Sequence, residues 1–229
     1  MAPSRNIPLI IHFILDRLLP PVIRDSRVVM GPLFYLAFGK KAALFLEFKE
    51  KLPSLSDQQI NDYYEELDDV FIQRDTDLNR ACIEYIDTAV EGESVLDVAC
   101  GNGFLSRRLA TQGKEVTGVD IVIPEQNSEN PEFLKAEIIS LPFPDKEFDT
   151  VVCTHTLEHV RDVSTAIHEI TRVCKKRLIV VVPCQRECRY SFDLHIHFFP
   201  YEYKLRELLG TEGELFKLSG DFLYVRDFT

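Results

Sequence analysis

Ser94 to Gly113 reads SVLDVACGNGFLSRRLATQG, and the reading of this stretch decides the fold. A β-branched run, SVLDVA, passes through a glycine turn at Gly101-Asn102-Gly103 into a helical pattern over Phe104 to Thr111, which Gly113 ends. Glu115 to Asp120 (EVTGVD) follows as a second strand. Strand, tight turn, helix and strand in this order form the unit from which parallel sheets are built. Toward the C-terminus the pattern predicts strands over Phe133 to Glu137, Phe148 to Cys153 and Arg177 to Val182, with a helix over Val163 to Cys174. The run LIVVV in the last of these strands is apolar on both faces, as in a sheet covered by helices on both sides. A helix from Tyr201 to Leu209 and two segments, ELFKLSG and DFLYVRD, follow, the segments reading as a closing antiparallel pair. The expected fold is α/β: a doubly wound, mostly parallel seven-stranded sheet with an antiparallel final strand, over residues 78–229.

Residues 1–77 read as a helical N-terminal extension. Residues 7–50 predict two or three short helices broken at Pro20-Pro21 and around Gly31-Pro32. Ser56-Asp-Gln-Gln59 is a capping-box pattern that opens a helix through about Phe71, and Leu78 to Val90 predicts another, ended by Gly92.

The chain has 229 residues, of which 45% are hydrophobic and 28% charged, enough apolar side chain for one folded domain and an appendage. Its net charge of −11 repels phosphate backbones, so nucleic acid is not an expected partner. That charge is unevenly spread. Residues 1 to 51 hold eight basic residues against four acidic ones, a segment of +4 on a body that is strongly acidic. The basic segment is also greasy (IPLIIHFIL, VVMGPLFYLAFG, AALFLEF), but charges and prolines interrupt every apolar stretch before about 18 residues, which disfavours a spanning helix. Two readings of residues 1–51 stay open: a lid or homodimer face, and an interfacial anchor on the inner membrane surface. The Ile7 to Leu15 run holds His12 and leads into Asp16-Arg17 and Pro-Pro, unlike a secretory signal. Six cysteines without an export signal read as reduced thiols in the cytoplasm. Cys184 and Cys188 with His195 and His197 lack the paired spacing of a zinc knuckle, and no metal is expected.

In an open parallel sheet, ligands sit beyond the carboxyl ends of the strands. The first strand ends in Asp97-Val-Ala-Cys-Gly101-Asn-Gly103 and the second in Asp120, 23 residues after Asp97. Glycines let a backbone approach a ligand closely, and a carboxylate ending the next strand accepts both hydroxyls of a ribose, so the pair points to a nucleoside. A dinucleotide calls for a third glycine where Ser106 stands, which disfavours a nicotinamide-dependent oxidoreductase. Cys100 has no basic neighbour in sequence and reads as a small filler rather than a nucleophile.

These segments, VLDVACGNGFLSRRLA, VTGVD, LPFPDKEFDTVVCTHTLEHV and HIHFFPYEYKLRELL, resemble the class I S-adenosylmethionine-dependent methyltransferases, Rossmann-like in fold. The resemblance is to the small-molecule branch with a D-x-x-C-G-x-G loop, and it covers residues 78 to 210. It implies S-adenosylmethionine as cofactor. By the same resemblance Ala99, Cys100, Gly101 and Gly103 hold its methionine end, with Asp97 organising the loop. Asp120 takes the ribose hydroxyls, Ile121 packs on the adenine, and Glu137 reaches the adenine amino group with the backbone N–H of Ile138 beside it. Thr154 and His155 line the sulfonium. Ala136-Glu137 departs from the commoner Gly-Asp and lengthens the carboxylate arm.

Methyl transfer from a sulfonium is an in-line displacement, so the protein supplies positioning, exclusion of water and removal of the acceptor's proton. Histidine is the natural base near neutral pH. His159 is the first candidate and His155 the second, with His195 and His197 further along. The expected acceptor is a small or lipid-linked molecule, methylated at oxygen. The alternatives are a protein substrate and a catalytically silent domain that binds a partner protein.

Overall fold

Strand β1 (Ser94–Val98) is buried from Val95 onward, because both of its faces are covered. The computed structural model describes residues 19–67, 75–127, 129–191 and 193–228, apart from the side chains of Asn61, Tyr64 and Glu65. β1 pairs in parallel with β2 (Glu115–Asp120) on one side and β4 (Phe148–Thr154) on the other. β3 (Glu132–Lys135) extends the sheet beyond β2, and β5 (Cys174–Pro183) beyond β4, both in parallel. β7 (Asp221–Asp227) runs antiparallel to β5, and β6 (Glu214–Leu218) pairs antiparallel with β7 at the edge. The order is β3-β2-β1-β4-β5-β7-β6, the expected seven-stranded, mostly parallel sheet.

Period-two alternation divides the strand residues between two cores. Leu96, Val98, Val151, Cys153, Leu178 and Val180 face α7 (Val163–Arg172) and α8 (Glu202–Leu209), whose Ala166, Ile170, Leu205 and Leu209 close that side. Val95, Val116, Val152, Ile179 and Val181 face α5 (Arg80–Ala89) and α6 (Phe104–Thr111) through Cys82, Ile86, Leu105 and Leu109. Asn79 caps α5 by accepting from the Cys82 amide at 3.0 Å, and Asp162 caps α7 by accepting from Thr165 N at 3.0 Å.

The chain divides into two compact units, Arg74–Cys184 with His197–Thr229, and Met1–Gln73 with Gln185–Ile196. The second of these holds α1 (Pro21–Arg24), α2 (Arg27–Phe38), α3 (Ala42–Lys51) and α4 (Asp57–Leu67). Its core gathers Met30, Phe34, Phe45, Leu46, Phe48 and Leu67 with Tyr190 and Leu194 from the returning segment. Phe34 sits 5.7 Å from the Phe45 ring and 6.4 Å from Tyr190. The capping box forms as the sequence predicts: Gln59 N donates to Ser56 Oγ at 3.2 Å, and Ser56 N to Gln59 Oε1 at 2.8 Å. The continuation of α4 toward Phe71 and the apolar Ile7–Leu15 run lie outside the described residues.

One expectation for this region is corrected. α2 runs straight through Gly31-Pro32. Pro32 forfeits the bond to the Val28 carbonyl, but Met30 and Phe34, at 1% and 0% exposure, anchor the helix on both sides of it. The break falls instead at Gly39, whose φ of 55° suits glycine, and a short 3-10 turn leads on to α3. The helical run Arg27–Ser54 is also, by length and composition, apolar enough to cross a membrane, with 28% of its most apolar window buried.

Candidate functional site

The sheet register collects the predicted site at one edge. Val98 pairs with Val119 and Cys153, so the residues that follow, Ala99, Asp120 and Thr154, leave the sheet side by side. After β3 the chain crosses to the other side of β1 to begin β4, which makes the gap between β1 and β4 the topological switch point.

The loop after β1 is held in an unusual backbone. Ala99, Gly101 and Gly103 have φ of 57°, 54° and 77°. Left-handed backbone at Ala99 costs about 1 kcal/mol, so the loop is fixed by its surroundings. Cys100 N donates to Val119 O at 3.0 Å, and Gly103 N to Cys100 O at 2.9 Å. Asp120 ties the loop to β2: its Oδ2 accepts from Gly101 N at 2.8 Å and its Oδ1 from Val122 N at 3.1 Å. A Cβ built on Gly101 meets nothing within 4 Å, whereas one on Gly103 falls 2.5 Å from Phe133. Gly101 thus borders open space, while Gly103 is a packing requirement.

Asp97 is 1% exposed, and its Oδ2 accepts from Ser106 Oγ at 2.6 Å. Burial pushes its carboxyl up to about 6; the Ser106 hydrogen bonds work against this and the charge of Asp120 adds to it. A cationic group placed beside Asp97 would reverse that cost. Ser106, which the sequence reading treats only as a missing glycine, is fully buried and orients this carboxylate. Burial pushes the Cys100 thiol upward, as befits a filler.

Ile121 is half-buried beside Asp120, and Glu137 is exposed, its carbonyl accepting from Ser140 N at 3.0 Å. Ile138 is half-buried. The segment after it is clamped by Arg172, which donates to Leu141 O at 3.1 Å and Phe143 O at 2.7 Å while pairing with Glu169 and Asp145.

Beyond β4, Thr154 is half-buried and His155 takes a φ of 49°, its amide donating to Val181 O at 2.8 Å. This conformation carries the imidazole inward, between two carboxylates. Nδ1 lies 3.5 Å from Glu158 Oε1 and Nε2 lies 3.4 Å from Asp221 Oδ2. Burial opposes the imidazolium, but the carboxylates outweigh it and push His155 up to about 10. His155 is therefore protonated at neutral pH and is not a base there. Neither Glu158 nor Asp221 was legible as part of the site, since Asp221 arrives from β7, 66 residues downstream of His155.

His159 follows in the turn, half-buried, its amide donating to Thr156 O at 2.9 Å. His197 Nε2 lies 2.9 Å from Val160 O, which commits that nitrogen to donation. His195, in the other unit, pairs through Nδ1 with Gln185 Oε1 at 2.6 Å.

A family model described as a methyltransferase domain matches residues 96–182. Ubiquinone biosynthesis O-methyltransferases of Pseudomonas fluorescens (strain Pf0-1) and Dechloromonas aromatica (strain RCB) are 35% and 33% identical, over 43% of this chain and 48% of theirs. The chain thus spans about half the length of the curated relatives it matches. Magnesium protoporphyrin IX methyltransferase from Synechocystis PCC 6803, solved with bound SAH, aligns over 76% of this chain and all of its own, with a TM-score of 0.52 and 17% identity. A SAM dependent methyltransferase from Aquifex aeolicus aligns over the same share with a TM-score of 0.50 and 17% identity. At such identity these two bear on the fold alone. The family match places a methyltransferase domain over residues 96–182, and the strand order agrees with the Rossmann-like fold of the solved methyltransferases.

Proposed function

We propose that the domain binds S-adenosylmethionine at the switch point and transfers its methyl group to an oxygen of a small-molecule acceptor. The observation that carries this reading is the β1 loop, strained at Ala99 and open at Gly101, between the carboxylates of Asp97 and Asp120. Two anionic side chains around open backbone suit a ligand that carries a cationic amino-acid end and a ribose. The backbone from Ala99 to Gly103 would hold the methionine portion and Asp97 its ammonium. Asp120, already oriented by two amides, would accept from the ribose, with Ile121, Glu137 and Ile138 around the base. The O-methyltransferase relatives support oxygen as the accepting atom.

The cofactor's sulfonium supplies the activated methyl, so this chain's residues have to orient the acceptor in line, keep water away and take up its proton. His155 is already protonated and His197 is committed to Val160; His159, in the turn after β4, is the candidate base. His155 holds the turn that presents it.

Calorimetric titration with S-adenosylmethionine and S-adenosylhomocysteine tests the reading. Wild type is expected to bind both. Asp120→Ala should weaken binding, and Gly101→Val should abolish it, because a branched side chain at φ 54° is strained and fills the open space. Wild-type protein that gives no heat with either ligand overturns the proposal.

A further inference from the structure

Helix α2 is apolar on both sides, and only one side is covered. Met30 and Phe34 point into the core of their own unit. The opposite stripe, at i, i+4 and i+7, is Val29, Leu33 and Leu36, flanked by Val28 and Tyr35; Val28 and Leu36 are 85% and 86% exposed. Val22 and Ile23 of α1 add to it, at 84% and 40% exposure. Seven of the eleven large hydrophobic residues exposed among the described residues fall between Val22 and Leu36. A concentration of this kind marks an interaction face, since scattered single exposures are the norm.

The charges around the face select the partner. Lys40 and Lys41 follow α2 and no acidic residue lies between Ser26 and Leu46, while Arg27, which opens α2, pairs with Glu47 and Glu50 of α3 at 3.7 and 3.9 Å. Two copies of this face would bring like charges together, whereas anionic lipid headgroups would meet them with opposite charge. The length of the helical run Arg27–Ser54 permits a crossing, but Phe45, Leu46 and Phe48 of α3 are buried with Met30 and Phe34 in one core, and Gly39 divides the run. Only the outer stripe is available, so the helix lies along a surface.

We propose that α1 and α2 dock on the surface of an anionic lipid bilayer. Val22, Val28, Leu33 and Leu36 enter the boundary between headgroups and acyl chains, and exposed Lys40, with the charge of Lys41 beside it, meets lipid phosphates. The inference goes beyond methyl transfer and stands independently of it, because the test reads lipid binding without cofactor or acceptor.

Full-length protein is floated with vesicles of equal parts phosphatidylcholine and phosphatidylglycerol, and with phosphatidylcholine alone, at low and high salt. Binding to the anionic vesicles is expected at low salt, weakened several-fold by high salt and by omission of phosphatidylglycerol. The double variant Val28→Glu, Leu36→Glu should lower the bound fraction about tenfold or more, and Lys40→Glu should lower it less. Both are exposed positions, and unchanged circular dichroism and melting verify that the variants fold. Wild type left unbound at low salt overturns the proposal, as does a folded double variant that binds like wild type. A dimer in light scattering that the double variant splits, in protein that ignores vesicles, assigns the face to a second copy and overturns it as well.

Discussion

His155 Nε2 lies 3.4 Å from Asp221 Oδ2, joining the turn after β4 to the first residue of β7. Asp221 in turn accepts from Asn79 Nδ2 at 2.6 Å, and Asn79 caps α5. One imidazolium thus ties together the switch-point turn, the antiparallel strand and a helix start. Glu158, 1% exposed on the other side of the ring, has neither carboxylate oxygen hydrogen-bonded, so His155 is the charge that offsets it.

Replacing His155 should therefore damage stability more than chemistry. His155→Ala removes the imidazolium that sits between buried Glu158 and Asp221, a loss of about 3–5 kcal/mol in denaturant unfolding. The pH dependence has a definite sign. His155 is raised in the fold from 6.5 to about 10, so its stabilisation is complete below pH 6.5 and is lost as pH rises toward 10. Wild type should lose melting temperature across that window relative to His155→Gln. Parallel pH profiles for the two proteins would contradict the imidazolium assignment.

Asp97 makes cofactor binding sensitive to acid. Its carboxyl is raised to about 6, and a bound ammonium favours the ionised form. Affinity should be constant above pH 6 and fall below it, by up to about tenfold per pH unit. Titrations across pH 5 to 8 check this, with Asp97→Asn expected to bind weakly and without that dependence.

Gly118 offers a test of the support behind the loop. A Cβ there would lie 2.7 Å from the Phe133 ring and 3.0 Å from Cys100 Sγ, and the ring is itself buried. Gly118→Ala should cost about 1–3 kcal/mol of stability by overpacking. It should also weaken cofactor binding by displacing Cys100. Melting and calorimetry on one sample measure both, and an unperturbed variant would show that Phe133 moves freely.

His159→Ala should lower turnover by about two to four orders of magnitude with cofactor affinity intact. His197→Ala should change the rate far less, because its Nε2 serves the Val160 carbonyl. A His159 variant within threefold of wild type returns that residue to packing.

Local interactions were readable in the sequence because the groups that make them are neighbours along the chain. The Ser56–Gln59 capping box, the glycine turn from Gly101 to Gly103, and strands β1, β2 and β4 stand within a residue of where period and turn chemistry place them. Alternation along the strands also determined the two-faced core, since one residue's direction sets the next. The tertiary structure alone decided what depends on long loops closing. Ser106 serves Asp97, Asp221 and Glu158 enclose His155, and Gln185–Ile196 joins the unit of the first helices. It also decided that α2 passes through Pro32, where buried Met30 and Phe34 outweigh a lost backbone bond that local propensity counts in full. Spacing in sequence carries no record of such partners, because each forms only after the sheet has brought distant segments to one edge.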